Sequence, residues 1–365
     1  MKTLIYGAQA IALGAYNAIR RIKPTCHIEG FLVTQIGYNA RQLAGLPVIE
    51  LNDYINGITD AEKDNTEVFI ATPEDIFPEI EKTLDAVGIK KHKRLDSLTW
   101  AKLMDESGMF DSLADLPING IDYTTSNLSS DFTIFRIHHE RDKKLKGAYK
   151  LPECIWDLQV GAANSQNKLT KYQDNTGDNI SIRNGDYCEL TGLYWMWKNI
   201  VISNKSDRQH WYGMYHYRRL LNLSDDDMVR IRNNKIDAIL PYPMPYEPSM
   251  ESHHKRYLTD IEWDAVVESL HELSPDLFVN NQNNLEHILS QPYMYNYNIV
   301  LAKKNVLADY CSWLFQILFS TEKIVKEIEG ENPHRYIGYA AETLETIYFM
   351  HHEMNEKNVG CWFLV

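Results

Sequence analysis

WYGMYHYRRL, residues 211–220, joins a short apolar run, Trp211 to Tyr215, to a polar and cationic cluster, His216-Tyr217-Arg218-Arg219. Side chains at the carboxyl end of a strand in an open α/β sheet project into the crevice where ligands bind. Two adjacent arginines present planar forks of donors that match a diphosphate, and they stay charged at any working pH. A solvated strand end is the competing reading of an isolated Arg pair, so the surroundings decide. A carboxylate placed to take a proton is available at Glu342 in GYAAETL, with Asp178 and Glu189 as reserves. Its plain alternative is a surface glutamate on a helix. His253-His254 has the chemistry to hold a sugar, a phosphate or a metal, although paired histidines in a loop are more often simply exposed.

Many enzymes that cleave a diphosphate hold a divalent ion with Asp-x-Asp at the end of a central strand. Here that place is taken by His216 to Arg219, and Asp225-Asp226-Asp227 follows as the start of a helix, where acids suit the dipole. The expectation is therefore that arginines replace a metal and that no cofactor is needed. No Ser/His/Asp order, CxxC pair, HExxH or P-loop is present, which leaves hydrolase and kinase chemistry without support.

The elements that must position these residues follow from periodicity. Residues 2–6, 28–33, 47–50 and 67–71 read as strands, and 11–22 and 74–87 as helices, the second closed by Gly88. This alternation predicts a small parallel sheet of Rossmann type. Its glycine fingerprint is eroded to Gly7-Ala8-Gln9-Ala10-Ile11-Ala12, and no acid follows the second strand. A docking or regulatory module is the leading reading of this domain, with nucleotide or sugar binding as the other. Residues 106–130, rich in Asp, Ser, Gly and Asn, read as a linker between domains at 1–105 and 131–365.

In the second unit, 132–138 and 154–160 read as strands, and 174–181 (DNTGDNIS) is turn-forming throughout. Asp186 and Glu189 have capping-box spacing ahead of a helix with Leu190, Leu193, Tyr194, Trp197, Ile200 and Val201 on one face. Residues 225–233 read as a helix, 236–240 as a strand, 241–252 as a stiff Pro-rich cover, and 261–273 as a helix capped by Asp260. Residues 293–302 read as one strand, 305–328 as a long helix, 335–356 as largely helical and 359–365 as a strand.

The chain has 365 residues, enough for two cores, and a net charge of −13 that argues against nucleic-acid binding. Five scattered cysteines without ligand spacing predict reduced thiols and a cytoplasmic protein. No apolar run reaches the roughly 18 residues of a membrane span.

From about Phe132 onward the segments LQVGAA (158–163), DNTGDNIS (174–181), YCELTGLYWMWKN (187–199), YGMYHYRRLL (212–221), DAILPYP (237–243), YNYNIVLAKKNVLADYCSWLFQILF (295–319) and RYIGYAAETL (335–344) occur in one order. In this they resemble the bacterial family known as domain of unknown function 4422, associated with capsular-polysaccharide and O-antigen glycosyltransferases, including galactofuranosyltransferases. The first domain is similar to small Rossmann-like domains of polysaccharide-biosynthesis proteins. The family's late FGFxxERL pattern departs here to YIGYAAETL, which keeps Gly338 and Glu342 and lacks the Arg.

The resemblance implies an α/β chain with a GT-A-like domain and a mixed central sheet, a UDP-sugar donor and a glycan acceptor. Joined to the residue reading, this gives inverting transfer of a hexose, galactofuranose being the family's example, without a divalent metal, in the cytoplasm or at the inner face of the membrane. On that reading Glu342 is the base, and Arg218 and Arg219 meet the charge on departing UDP. Gln159, Asp174, Asn175, Thr176, Gly177, Asp178, Asn179, Glu189, Tyr194, His216 and Tyr217 would line the donor site; His253, His254 and Asn298 would meet the acceptor. The rival from another class is a non-catalytic nucleotide-sugar or glycan-binding subunit of an assembly complex. An oxidoreductase working through the first domain is weakened by the damaged fingerprint.

Overall fold

A computed structural model describes residues 2–120, 128–145, 147, 149–205, 209–279, 282–330 and 335–365. The first domain is Rossmann-like. Strands Lys2–Tyr6, Ile28–Val33, Leu46–Glu50, Thr66–Ile70 and Lys91–Arg94 are all parallel, with Lys2–Tyr6 in the middle and a two-residue edge strand, Gln42–Leu43, antiparallel to Leu46–Glu50. The Leu, Ile, Val and Phe content of the four strands other than Lys91–Arg94 is what a sheet covered on both faces requires. Helix Ala10–Ile22 starts directly after the first strand because Gly7, at φ +125, turns where a Cβ would stand 2.4 Å from the Ala71 carbonyl oxygen. The sequence reading omitted the strand Lys91–Arg94, whose four residues are all charged or polar. Helix Ser97–Ser107 was likewise not expected; it packs back through the Trp100 indole N–H onto the Ile11 carbonyl.

The second domain is built on a mixed sheet with strands in the order Glu356–Val359, Ala238–Pro241, Val300–Lys303, Trp211–His216, Phe132–His138, Ile155–Gln159, Tyr172–Gln173. Val300–Lys303 runs antiparallel to both neighbours and the remaining pairs of that path are parallel. One face is covered by helices Leu190–Met196, Asp260–Leu273, Lys304–Glu329 and Tyr336–His351, which share a large core rich in aromatic side chains with the sheet. The carboxyl ends of Trp211–His216, Phe132–His138 and Ile155–Gln159 therefore open on one edge.

The 293–302 strand is broken into Tyr293–Met294 and Val300–Lys303, because Tyr297 and Asn298 take left-handed backbone, φ +77 and +49. The Asp186–Glu189 capping box does not form: a single turn, Asn184–Tyr187, ends at Cys188 with φ +51, and Glu189 becomes the N-cap of Leu190–Met196 without capping it by its side chain. That helix then widens to a π turn at Trp197–Val201. After His216 the chain turns back at once, and Arg219–Leu221 pairs with the strand Cys361–Phe363. Thr259, not Asp260, caps Asp260–Leu273, in a capping box with Glu262.

The described part of the 106–130 stretch lies pinned along the second domain: Arg230 Nε donates to the Leu116 carbonyl, the Asn234 amide to that of Pro117, and Ser112 bridges to Asn358. Residues 121–127 lie outside the described residues.

Candidate active site

The turn Asn296-Tyr297-Asn298 organises the polar centre of the second domain. Two consecutive non-glycine residues in left-handed backbone are a costly arrangement, held here by what surrounds them. The turn aims its two asparagine amides at two glutamates. Asn298 Nδ2 donates to Glu189 Oε1 at 2.7 Å, and Asn296 Nδ2 to Glu342 Oε2 at 3.2 Å. Between them the Tyr297 carbonyl accepts from His216 Nε2 at 2.6 Å, and the Arg219 guanidinium lies 4.1 Å above the Tyr297 ring. The segments at 187, 212, 295 and 335, far apart in sequence, thus meet at one place.

Burial, followed by the negative charge of Glu189, raises the Glu342 carboxyl to about 7, while the Asn296 amide, the Tyr297 backbone N–H and Arg219 act in the opposite sense. One turn further along the helix, Glu345 is 0% exposed with neither oxygen hydrogen-bonded among the described residues, and burial holds it protonated. A carboxylate titrating near neutrality beside a second one is the arrangement that proton-transfer chemistry uses.

Glu189 and His216 also line a cavity of about 350 Å³ at the open strand ends, together with His139, Arg141, Asp142, Asn184, Gly185, Cys188, Tyr217 and Arg335. Two exposed cations, Arg141 and Arg335, border it. Arg335 is steered by its Nε contact to Cys188 Sγ at 3.0 Å, and burial pushes that thiol up to about 11, so it stays neutral.

Of the residues expected from the sequence, Glu189, His216 and Tyr217 line this cavity, and Asn298 and Glu342 stand immediately behind it. Arg218 does not line it. Its guanidinium turns to the first domain, 3.9 Å from Asp75, and covers the Phe363 ring at 4.8 Å. Arg219 faces the cleft between the domains, which it lines with Tyr297, Phe363, Trp100 and Thr72.

The residues of the 174–179 loop are engaged in the loop's own construction. Asp174, 0% exposed, accepts from the backbone N–H groups of Gly161 and Ala162 and from Ser181 Oγ. Thr176 accepts from the Trp195 indole, Asp178 accepts from the Tyr194 hydroxyl, and Asn179 bonds to the backbone of Gly177 and Ser181. Gly177, at φ +58, abuts Asn199, and Asn175 is exposed. Gln159 ties Asn167, Leu169 and Gln173 together.

His253 and His254 are neither in a loop nor exposed. They sit in the short helix Glu251–His254, with His254 stacked 3.7 Å from Trp263 and only 1% exposed. His253 packs between Tyr246 and Tyr257.

Sequence reasoning missed Asn296, Tyr297, Arg141 and Arg335. The first two carried a readable signal, since asparagine tolerates left-handed backbone and YNYN interrupts an otherwise apolar strand. Arg141, inside HHERDKK, reads as an ordinary solvated charge.

The family "domain of unknown function (DUF4422)" matches residues 133–353, the span that contains this whole arrangement. The chain is also similar to a solved structure, the apo form of WbbM, a bifunctional glycosyltransferase, with 26% identity and a TM-score of 0.53. That likeness covers 64% of this chain and 45% of the other, so the chain spans less than half of that protein. No curated protein matches the sequence. With well over half of its length inside the family's span, and the polar centre within it, this chain belongs to the DUF4422 family.

Proposed function

We propose that the chain is a glycosyltransferase that moves a hexose from a UDP-sugar to a growing surface glycan with inversion and without a divalent metal. The observation that carries this reading is the pair Glu189 and Glu342, each held by an asparagine amide of one strained turn, with burial raising the Glu342 carboxyl to about 7. The likeness to a glycosyltransferase of known structure supports the same class of reaction.

The donor diphosphate is assigned to the cavity bordered by Arg141 and Arg335, with His216 and Tyr217 on its wall. An acceptor hydroxyl attacks the anomeric carbon, the bond from that carbon to the diphosphate oxygen breaks, and the hydroxyl proton passes to Glu342. Guanidinium groups fixed where the leaving charge develops favour the transition state over the ground state. Burial, and after it the charge of Glu189, keeps Glu342 basic enough to accept the proton. Arg219, flanked by the Tyr297 and Phe363 rings, positions the turn that carries both asparagines.

The test is UDP release from candidate UDP-sugars with and without a glycan acceptor. Acceptor-dependent release that survives EDTA is expected. Thermal stabilisation by UDP-sugar with no release under any acceptor would assign the chain to the binding subunits instead.

A further inference from the structure

The eroded glycine loop of the first domain faces a second cavity, of about 640 Å³, lined by Ala8, Gln9 and Ala10 on one side and by Tyr246, His253 and Arg256 on the other. Three independent features converge there. The 13-residue helix Ala10–Ile22 begins at this cavity, and Gln9 gives it no side-chain cap, so its amino end presents backbone N–H groups and the positive end of the helix dipole. The imidazole of His253 is 93% buried (7% exposed), lines the same cavity, and makes no hydrogen bond among the described residues, its Nδ1 being a buried orphan. Arg256 reaches across the domain boundary, with Nη1 3.0 Å from Gln9 Oε1, and Gln9 in turn holds Asn39. Glu247 also lines this cavity and accepts from the Ala44 N–H at 2.8 Å; its charge is one that the helix end and Arg256 must outweigh.

A buried polar ring without a partner is costly unless a ligand or water completes it. The ring lines the same cavity as an uncapped helix end and a cation supplied by the other domain. We propose that this cavity binds a phosphate-bearing small molecule, whose phosphate or diphosphate is held jointly by the amino end of Ala10–Ile22 and by Arg256 and His253. The loop keeps the first glycine, which the turn requires, and replaces the later ones because the second domain supplies part of the cradle. The site is separate from the donor cavity and does not depend on the transferase reading. Tyr257, adjacent to Arg256, stacks on Tyr339 at 4.5 Å, one turn before Glu342, so occupancy would be felt in the helix that carries the carboxylate.

The test uses the full chain carrying Arg141→Ala and Arg335→Ala, which removes the cations of the donor cavity. Inorganic pyrophosphate, titrated by calorimetry, is expected to bind this parent at one saturable site. Adding Arg256→Ala should weaken binding about tenfold, as loss of one charge-assisted contact does. Ala10→Asp places a carboxylate at the first helical position, where it favours the helix and repels the anion, so binding should vanish while the melting temperature is kept or raised. UDP titrated alongside separates the sources: tighter binding than pyrophosphate identifies a nucleotide ligand, equal binding a bare diphosphate group. Absence of binding to the parent, or undiminished binding to the folded Ala10→Asp protein, overturns the proposal.

Discussion

Two stretches, DNTGDN at 174–179 and NYN at 296–298, have the same polar, turn-forming character in sequence and opposite roles in the fold. In the first, most of the polar side chains close on the loop's own backbone or clasp the neighbouring helix, so it braces Gly161-Ala162 at the end of Ile155–Gln159. In the second, the amides turn outward to two glutamates, the backbone is strained, and the Asn296 and Asn298 side-chain carbonyls stay without a hydrogen bond among the described residues. Polar residues that satisfy one another make scaffold; polar residues left incomplete around titrating groups mark chemistry.

The sharpest way to break this contrast is Glu342→Gln. It keeps the shape and the Asn296 contact and removes the base, so turnover should fall by roughly 10² to 10⁴-fold with donor affinity retained. Turnover within threefold of the parent, measured as acceptor-dependent UDP release, would remove Glu342 from the mechanism. Asp174→Ala probes the other side. It leaves two buried backbone N–H groups without their acceptor, and a loss of about 3 kcal/mol in a urea titration is expected, with activity per folded molecule nearly unchanged.

Acidity offers a finer separation. A base must be deprotonated, so the rate should rise with pH through about 7, the range to which burial and Glu189 push Glu342. Glu189→Gln removes the raising charge, and the acid limb should move to lower pH by about one unit. An unmoved limb would show that Glu189 does not set it.

Stability has the opposite dependence. The folded carboxyl binds its proton more tightly than the unfolded one, whose value is 4.5, so the parent loses stability relative to Glu342→Gln as pH rises from there to about 7 and no further above it. The full difference is on the order of 3 kcal/mol. Melting temperatures of the two proteins that stay parallel across this window would contradict the assignment.

Much of this architecture was legible because it rests on local rules. The four apolar strands of the first domain, the helix that follows Gly7 and the long helix Lys304–Glu329 all follow from periodicity or turn chemistry. The active-site centre was harder, because it consists of exceptions to those rules. A strand reading of 293–302 is correct for its apolar ends, and only tertiary contacts from Glu189, Glu342 and Arg219 sustain the left-handed pair in the middle. The same holds at Cys188, where the positive φ ends the helix turn and frees Glu189 from a capping role that its spacing suggests. Direction is also invisible to spacing: Arg218 and Arg219 are neighbours in a tight hairpin, and one faces Asp75 while the other faces Tyr297.

Arg218 gives the smallest effect and a discriminating one. Its partner Asp75 is 3.9 Å away, and both groups retain solvent contact, so the pair is worth no more than about 1 kcal/mol. If the arginine serves the domain interface, Arg218→Ala should leave turnover within about threefold and lower the melting temperature by a few degrees, and Asp75→Ala, which also strips Lys143 of its partner at 3.4 Å, should lower it too, with the double variant falling short of the sum of the two shifts. If the strand-tip pair meets the leaving diphosphate as its spacing suggests, the same substitution should cut turnover by orders of magnitude while Asp75→Ala does nothing. The side chain cannot satisfy both, because covering Phe363 and reaching Asp75 turns its fork away from the cavity that Arg141 and Arg335 border.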